Sequence, residues 1–249
     1  MTFFNRSPTC TLCGLLISRA SMLEILALLH ERIARNQGTW LLTLNTEMLA
    51  RCARDATYHE LIRQADIITA DGMPLVWASR YKNAAIKGRT TGVDLVDAYL
   101  RAPEIPPFAI IGGQDPIATL QRYDARAMQA CRYLFDGKVD LGEWQLDTFA
   151  KALVEQKVKT VFIALGVPKQ DGLALQLRAR LPQLVMIGIG GTFEILGPNG
   201  GRAPAWMRQV GLEWLYRLSK EPGRLWRRYV LGYPAGLKML LNDCLRPRT

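Results

Sequence analysis

One aspartate and three arginines are the residues best suited to chemistry. Asp71 directly follows the apolar run Ile67-Ile68-Thr69-Ala70 and precedes Gly72. A carboxylate projecting from the end of a strand, beside a residue that lets the backbone turn away, can take a proton from a hydroxyl. The same Asp before Gly-Met-Pro-Leu equally suits a turn or a helix N-cap. Arg217, Arg224 and Arg227 are spaced seven and three apart, near one side of a helix if its phase survives Pro222. Guanidinium forks match phosphate oxygens, and a solvated helix face is the other reading of such a run.

Elements that could position these groups recur along the chain. Short apolar runs bounded by Gly, Pro, Asn or Asp read as buried strands at Trp40–Leu44, Asp66–Ala70, Phe108–Ile111, Val158–Leu165 and Leu184–Ile189. Between them, Thr46–Gln64, Pro116–Phe135, Leu146–Gln156 and Gln170–Leu181 carry apolar positions near the helical spacing. Alternation of this kind predicts an α/β fold, a mostly parallel sheet with helices on both faces. Ligands of open parallel sheets bind beyond the carboxyl ends of the strands. Those ends carry Asn45, Asp71, Gly112, Gly113, Gly166, Lys169, Gln170, Gly190 and Gly191. A turn explains any one of these glycines; polar and glycine residues at five ends together point to a site. Gly188-Ile189-Gly190-Gly191 does not complete G-x-G-x-x-G, because Phe193 stands at the last position, and no P-loop occurs.

With 249 residues, 49% apolar, 22% charged and a formal net charge of +10, the chain reads as a folded, basic, water-soluble protein. A core of this size needs no disulfide or metal staples. The five cysteines, an odd and scattered set, suggest a reducing compartment. Cys10 and Cys13 form a C-x-x-C with no second pair, so no metal is expected. Leu12–Ile33 is interrupted by Arg19, Glu24, His30, Glu31 and Arg32, which disqualifies it as a spanning helix, and the start has no signal-peptide pattern. The expected location is cytoplasmic.

Residues 202–249 form a separate electrostatic object, with ten Lys and Arg against three Asp and Glu. Trp206, Trp214, Trp226, Tyr216, Tyr229 and Tyr233 are interleaved there with Arg208, Arg217, Arg224, Arg227 and Arg228. Met207, Val210, Gly211, Trp214 and Leu218 fall on one helical face between Pro204 and Pro222. Rings beside guanidinium groups suit the border of an anionic membrane; a basic hairpin packed on the core is the alternative. The expected division is therefore 1–201, the α/β core, and 202–249, a basic, aromatic-rich helical appendage.

Taken in order, Thr43-Leu44-Asn45, Ala70-Asp71-Gly72, Arg89-Thr90-Thr91-Gly92-Val93-Asp94, Gly112-Gly113, Gly166-Val167-Pro168-Lys169-Gln170, Gly188-Ile189-Gly190-Gly191-Thr192-Phe193 and Arg202-Ala203-Pro204 through Gly211-Leu212-Glu213-Trp214-Leu215-Tyr216-Arg217-Leu218 to Glu221-Pro222 resemble the motifs of the WecG/TagA/CpsF family of bacterial glycosyltransferases. The resemblance covers about residues 12 to 235. It implies inverting, metal-independent transfer from a UDP-sugar, of the UDP-N-acetylmannosamine, UDP-N-acetylmannosaminuronic acid or UDP-glucose type, to a polyprenyl-diphosphate-linked saccharide. The fold it implies is a Rossmann-like α/β core with a C-terminal helical appendage, and no cofactor is implied. The work would take place at the inner face of the cell membrane, with self-association competing against membrane docking of the tail.

By the same resemblance Asp71 is the catalytic base, and the tail arginines 217, 224 and 227 come over the site to meet the diphosphate. Thr43, Asn45 and Gln170 are implied to hold donor or acceptor, Arg89 an anionic group, and Lys169 a supporting charge, an exposed lysine being its other reading. Gly112, Gly113, Gly190 and Gly191 would admit backbone N–H groups to the nucleotide. Glu194 stands where many members carry Asp, keeping the charge, and Val167 where Ser is common. Metal-dependent glycosyltransferases commonly hold their ion with Asp-x-Asp, whereas none of the twelve aspartates here lies two residues from another. Two competing classes are a nucleotide-dependent oxidoreductase, which lacks the glycine fingerprint, and a nucleic-acid binder, which would leave the strand-end residues without a role.

Overall fold

The computed structural model describes residues 8–227, 230 and 232–246. The side chains of Gln209, Arg224 and Arg227, and all of Arg228 and Tyr229, lie outside the described residues. The strands are β1 (Thr9–Leu12), β2 (Leu15–Ser18), β3 (Thr39–Leu44), β4 (Ile67–Ala70), β5 (Phe108–Gly112), β6 (Cys131–Phe135), β7 (Thr160–Ala164) and β8 (Val185–Gly188). The helices up to β5 are α1 (Met22–Ala34), α2 (Thr46–Cys52), α3 (Ala56–Ile62), α4 (Met73–Tyr81) and α5 (Gly92–Leu100). Between β5 and the end of β8 lie α6 (Pro116–Leu120), α7 (Ala125–Ala130), α8 (Glu143–Glu155) and α9 (Lys169–Arg180). After β8 come α10 (Thr192–Leu196), α11 (Ala205–Gln209), α12 (Glu213–Lys220), α13 (Pro222–Arg227) and α14 (Tyr233–Leu245).

All eight strands form one sheet in the order β1-β2-β4-β3-β8-β7-β5-β6. Every pairing is parallel except the edge hairpin β1–β2. Strand side chains alternate between two cores, as a period of two requires. Trp40, Leu42, Ala109, Ile111, Val161, Ile163 and Met186 face one core with Leu49, Leu75, Phe149 and Leu173 from the helices. Leu41, Phe108, Ile110, Phe162, Val185 and Ile187 face the other with Ile25, Val96, Tyr99 and Phe193. The mostly parallel α/β sheet expected from the sequence is therefore present, with helices on both faces.

Three elements differ from the sequence reading. The segment read as one helix, Pro116–Phe135, breaks into α6, α7 and the edge strand β6. Thr46–Gln64 splits at Asp55, whose side chain caps α3 by accepting from Tyr58 N–H at 3.0 Å. The tail face drawn through Gly211 is interrupted there, because Gly211 takes φ +80° between α11 and α12.

Register puts the strand ends side by side. Leu44 pairs with Ala70, so Asn45 and Asp71 leave neighbouring strands at the same level, and Asp71 N–H donates to the Leu44 carbonyl at 2.7 Å. The tail reaches this rim by packing on α2. A Cβ on Gly236 would lie 2.2 Å from the Thr46 carbonyl oxygen and 2.8 Å from Ala50 N, while Leu240 is buried in the core and Asp243 pairs with Lys82 at 2.9 Å. Leu240 of α14 thus shares a core with residues that precede Gly201.

Gly→Ala inside a helix ordinarily stabilises by about 0.5–1 kcal/mol. At Gly236 the added methyl meets backbone that cannot give way, so Gly236→Ala is expected to destabilise by about 1–3 kcal/mol in urea unfolding. A more stable variant would show that α14 does not sit on α2 in solution.

Candidate active site

A cavity of about 470 Å³ opens at the carboxyl ends of β3, β4 and β8, where β3 and β8 lie adjacent in the sheet. Its volume suits a small molecule or part of a larger one. Thr43, Asn45, Asp71, Gln170, Gly190 and Gly191 line it from the strand ends, and Arg89 and Thr91 from the entrance to α5. The tail closes it: Glu213, Trp214 and Arg217 from α12, with Tyr233 and Leu237 from α14.

Asp71 is not a helix cap. The N-cap of α4 is Gly72, at φ 149°, with no side-chain cap hydrogen bond, a conformation that L side chains rarely adopt. The turn sends α4 away and leaves the carboxylate on the cavity wall. Asp71 keeps some exposure to the cavity, yet is closely surrounded by protein. Burial is the main influence on it and, with the negative charges of Glu213 and Asp94, outweighs Arg89 and Arg217, raising its pKa to about 7. A base with that value is matched to proton transfer near neutral pH.

The neighbouring polar groups are held in place by the fold. Asn45 caps α2, its Oδ1 accepting from Met48 N–H at 3.0 Å, which leaves the Nδ2 group unclaimed by the cap. Thr43 Oγ1 donates to the Gly188 carbonyl at 3.3 Å. Gln170 Oε1 accepts from Gly190 N–H at 3.0 Å, so that amide is already engaged. Arg89 pairs with Glu213 at 2.8 Å, both side chains about 15% exposed. Beside them Asp94 accepts from Thr91 Oγ1 at 2.7 Å and from Arg202. Burial opposes ionisation of Asp94, but these hydrogen bonds and the charges of Arg202 and Arg89 hold its carboxyl below the ordinary range.

Of the residues read from the sequence, the cavity brings together Thr43, Asn45, Asp71, Arg89, Gln170, Gly190, Gly191 and Arg217. It does not bring in Gly112, Gly113, Lys169 or Glu194. The two glycines take φ +84° and +90°, and side chains there would meet Ala164 O at 2.7 Å and Phe193 Cδ2 at 2.8 Å, so geometry and packing account for them. Lys169 Nζ donates to the Val139 carbonyl at 2.8 Å. Among the described residues Glu194 Oε2, buried close behind Gly191, has no hydrogen-bond partner. The side chains of Arg224 and Arg227 lie outside the described residues. Glu213 falls in the Gly211–Leu218 stretch, and its place one helical turn before Arg217 is the sequence signal that puts both on one face.

Residues 10–249 match the model of the glycosyl transferase WecG/TagA/CpsF family. The chain is 30% identical over 200 residues, 78% of this chain and 76% of the relative, to an N-acetylglucosaminyldiphosphoundecaprenol N-acetyl-beta-D-mannosaminyltransferase of Bacillus spizizenii. The chain belongs to the WecG/TagA/CpsF family and is a glycosyltransferase.

The raised pKa of Asp71 has a thermodynamic signature. Its unfolded value is near 3.9, so between about pH 4 and 7 the folded state binds the extra proton and this residue's contribution to stability falls as pH rises. Asp71→Asn abolishes that loss. Its advantage over the parent should therefore grow through this window to about 1–2 kcal/mol above pH 7, at ~1.4 kcal/mol per pKa unit reduced by solvent in the cavity. Asp171, buried and also raised to about 7, is common to both proteins and cancels. A pH-independent difference in melting temperature would contradict the burial argument.

Proposed function

We propose that, as a WecG/TagA/CpsF glycosyltransferase, this chain moves a sugar from a UDP-sugar to a saccharide carried on a polyprenyl diphosphate, with inversion and without a metal ion. The relative's name favours an N-acetylmannosaminyl donor and a GlcNAc-diphosphoundecaprenol acceptor; the other donors are the UDP-N-acetylmannosaminuronic acid and UDP-glucose types. The observation that carries the reading is the Asp71 carboxylate, raised by burial to a pKa of about 7, sharing one cavity with the guanidinium groups of Arg89 and Arg217.

In the proposed reaction the acceptor hydroxyl oxygen bonds to the anomeric carbon while the bond from that carbon to the UDP oxygen breaks. The hydroxyl proton passes to Asp71, and the electron pair leaves with the diphosphate. Arg217, joined by Arg224 and Arg227 further along the tail, offsets the charge that develops there, a task preorganised donors perform well away from bulk water. Thr43, Asn45, Gln170 and the Gly191 amide are proposed contacts to donor or acceptor. Glu194 lies close behind Gly191, whereas Gly112, Gly113 and Lys169 lie outside the cavity lining.

Access to a lipid-linked acceptor is supported by the tail surface. Trp206, Val210, Trp214, Leu215 and Trp226 are exposed among the basic residues of 202–249, a composition suited to anionic headgroups. No helix of the described residues is long and apolar enough to cross a membrane. We therefore propose peripheral attachment at the inner face, with self-association of the tail as its competitor.

The test is a panel of the three UDP-sugars with a short-chain GlcNAc-diphosphate lipid and the full chain, scored by UDP release and by the anomeric configuration of the product. One donor should give acceptor-dependent, inverted product undiminished by EDTA. Asp71→Asn should lower turnover by about 10²–10⁴ and Arg217→Ala by about 10²–10³. Near-normal turnover of folded Asp71→Asn, or UDP release indifferent to acceptor, would refute the reading.

A further inference from the structure

The ion pair between Arg89 and Glu213 joins the sheet side of the cavity to the tail, at 2.8 Å with both side chains largely buried. Both partners line the cavity that holds Asp71. Glu213 is the carboxylate ion-paired with Arg89, and it offsets the positive charge that Arg89 presents toward Asp71. Glu213 stands at the first position of α12, favourable for a negative side chain, and its neighbour one turn on is Arg217. Closing the tail thus delivers a negative charge to the rim together with the guanidinium expected to meet the diphosphate.

We propose that Glu213 is a positioning residue: by engaging Arg89 it keeps the wall beside Asp71 from being net cationic and so preserves the basicity of that carboxylate. The inference rests on Asp71 as the proposed base and adds a residue that touches neither the sugar nor the hydroxyl. The charged groups acting on Asp71 are Arg89 before α5, Asp94 in α5, and Glu213 and Arg217 in α12. Asp94 is itself engaged by Arg202 and lies 3.9 Å from Arg208 NH1, which leaves Glu213 as the acidic partner engaging Arg89 in this set. Glu213 pushes the Asp71 carboxyl upward and Arg89 draws it downward. Removing the negative charge of Glu213 therefore deletes a repulsion on Asp71 and leaves the attraction of Arg89 without its paired counter-charge.

The test uses the full chain and the variants Glu213→Gln and Glu213→Asp. Gln retains an oxygen that can accept from Arg89 but no charge; Asp retains the charge on a shorter stem. A carbon-13 NMR titration of the Asp71 carboxyl, assigned by its loss in Asp71→Asn, follows the group without turnover. The expected midpoint in Glu213→Gln is lower by about one pH unit, a tenfold change in proton affinity, with Glu213→Asp close to the parent. The acid limb of the kcat profile should move by the same amount. An unshifted midpoint in Glu213→Gln, even with kcat or KM altered, would mean that Glu213 only fastens the tail and would overturn the inference. A midpoint that moves as expected in a protein that transfers no sugar would uphold the role of Glu213 and count against the proposed function. Transfer with an unmoved midpoint would do the reverse.

Discussion

The structure turns on the desolvation of one carboxylate. A carboxyl group surrounded by protein loses the hydration that makes it a strong acid, and the charges nearest to it decide how much of that loss is recovered. At Asp71, two arginines recover part and two acidic residues give part of it back. The balance leaves a group that changes protonation near neutrality, the range in which a carboxylate can accept a proton from a hydroxyl and release it again.

Everything that surrounds Asp71 follows from the need to put that group at a strand end while keeping water largely away. A parallel sheet covered on both faces has buried strands and only its ends available for polar chemistry. The register of β3 against β4 brings Asn45 and Asp71 out together, and Gly72 turns the chain in a conformation that keeps the following helix clear. The sheet alone leaves this rim open. The tail covers it, anchored at one end by the close approach of Gly236 to α2 and at the other by the pairing of Arg89 with Glu213.

Five of the six interior strands were legible because burial on both faces demands nearly continuous apolar runs, each stopped by a glycine or a polar residue. The edge elements were not. Cys131–Phe135 carries Arg132 and Tyr133 and is only partly buried, so its pattern merges with that of the helix before it, and β1 and β2, exposed at Thr9, Thr11 and Leu16, form no bounded run of buried apolar residues. Asp71 was readable from its position after Ala70, although its choice between capping and chemistry needed the φ of Gly72. Gly112 and Gly113 carry the same sequence signal as Gly190 and Gly191, and only packing against Ala164 and Phe193 separates them. Glu213 was hidden because its partner lies 124 positions earlier in the chain, a pairing that only closure of the tail creates.

The most direct measurement is a structure of the full chain with UDP and a non-reactive analogue of the lipid-linked acceptor. The account predicts the acceptor hydroxyl position within about 2.6–3.2 Å of an Asp71 carboxylate oxygen, with the diphosphate against Arg217 on the opposite side of the sugar site. An acceptor hydroxyl well beyond that reach with no intervening water, or a diphosphate bound away from the tail, would contradict it.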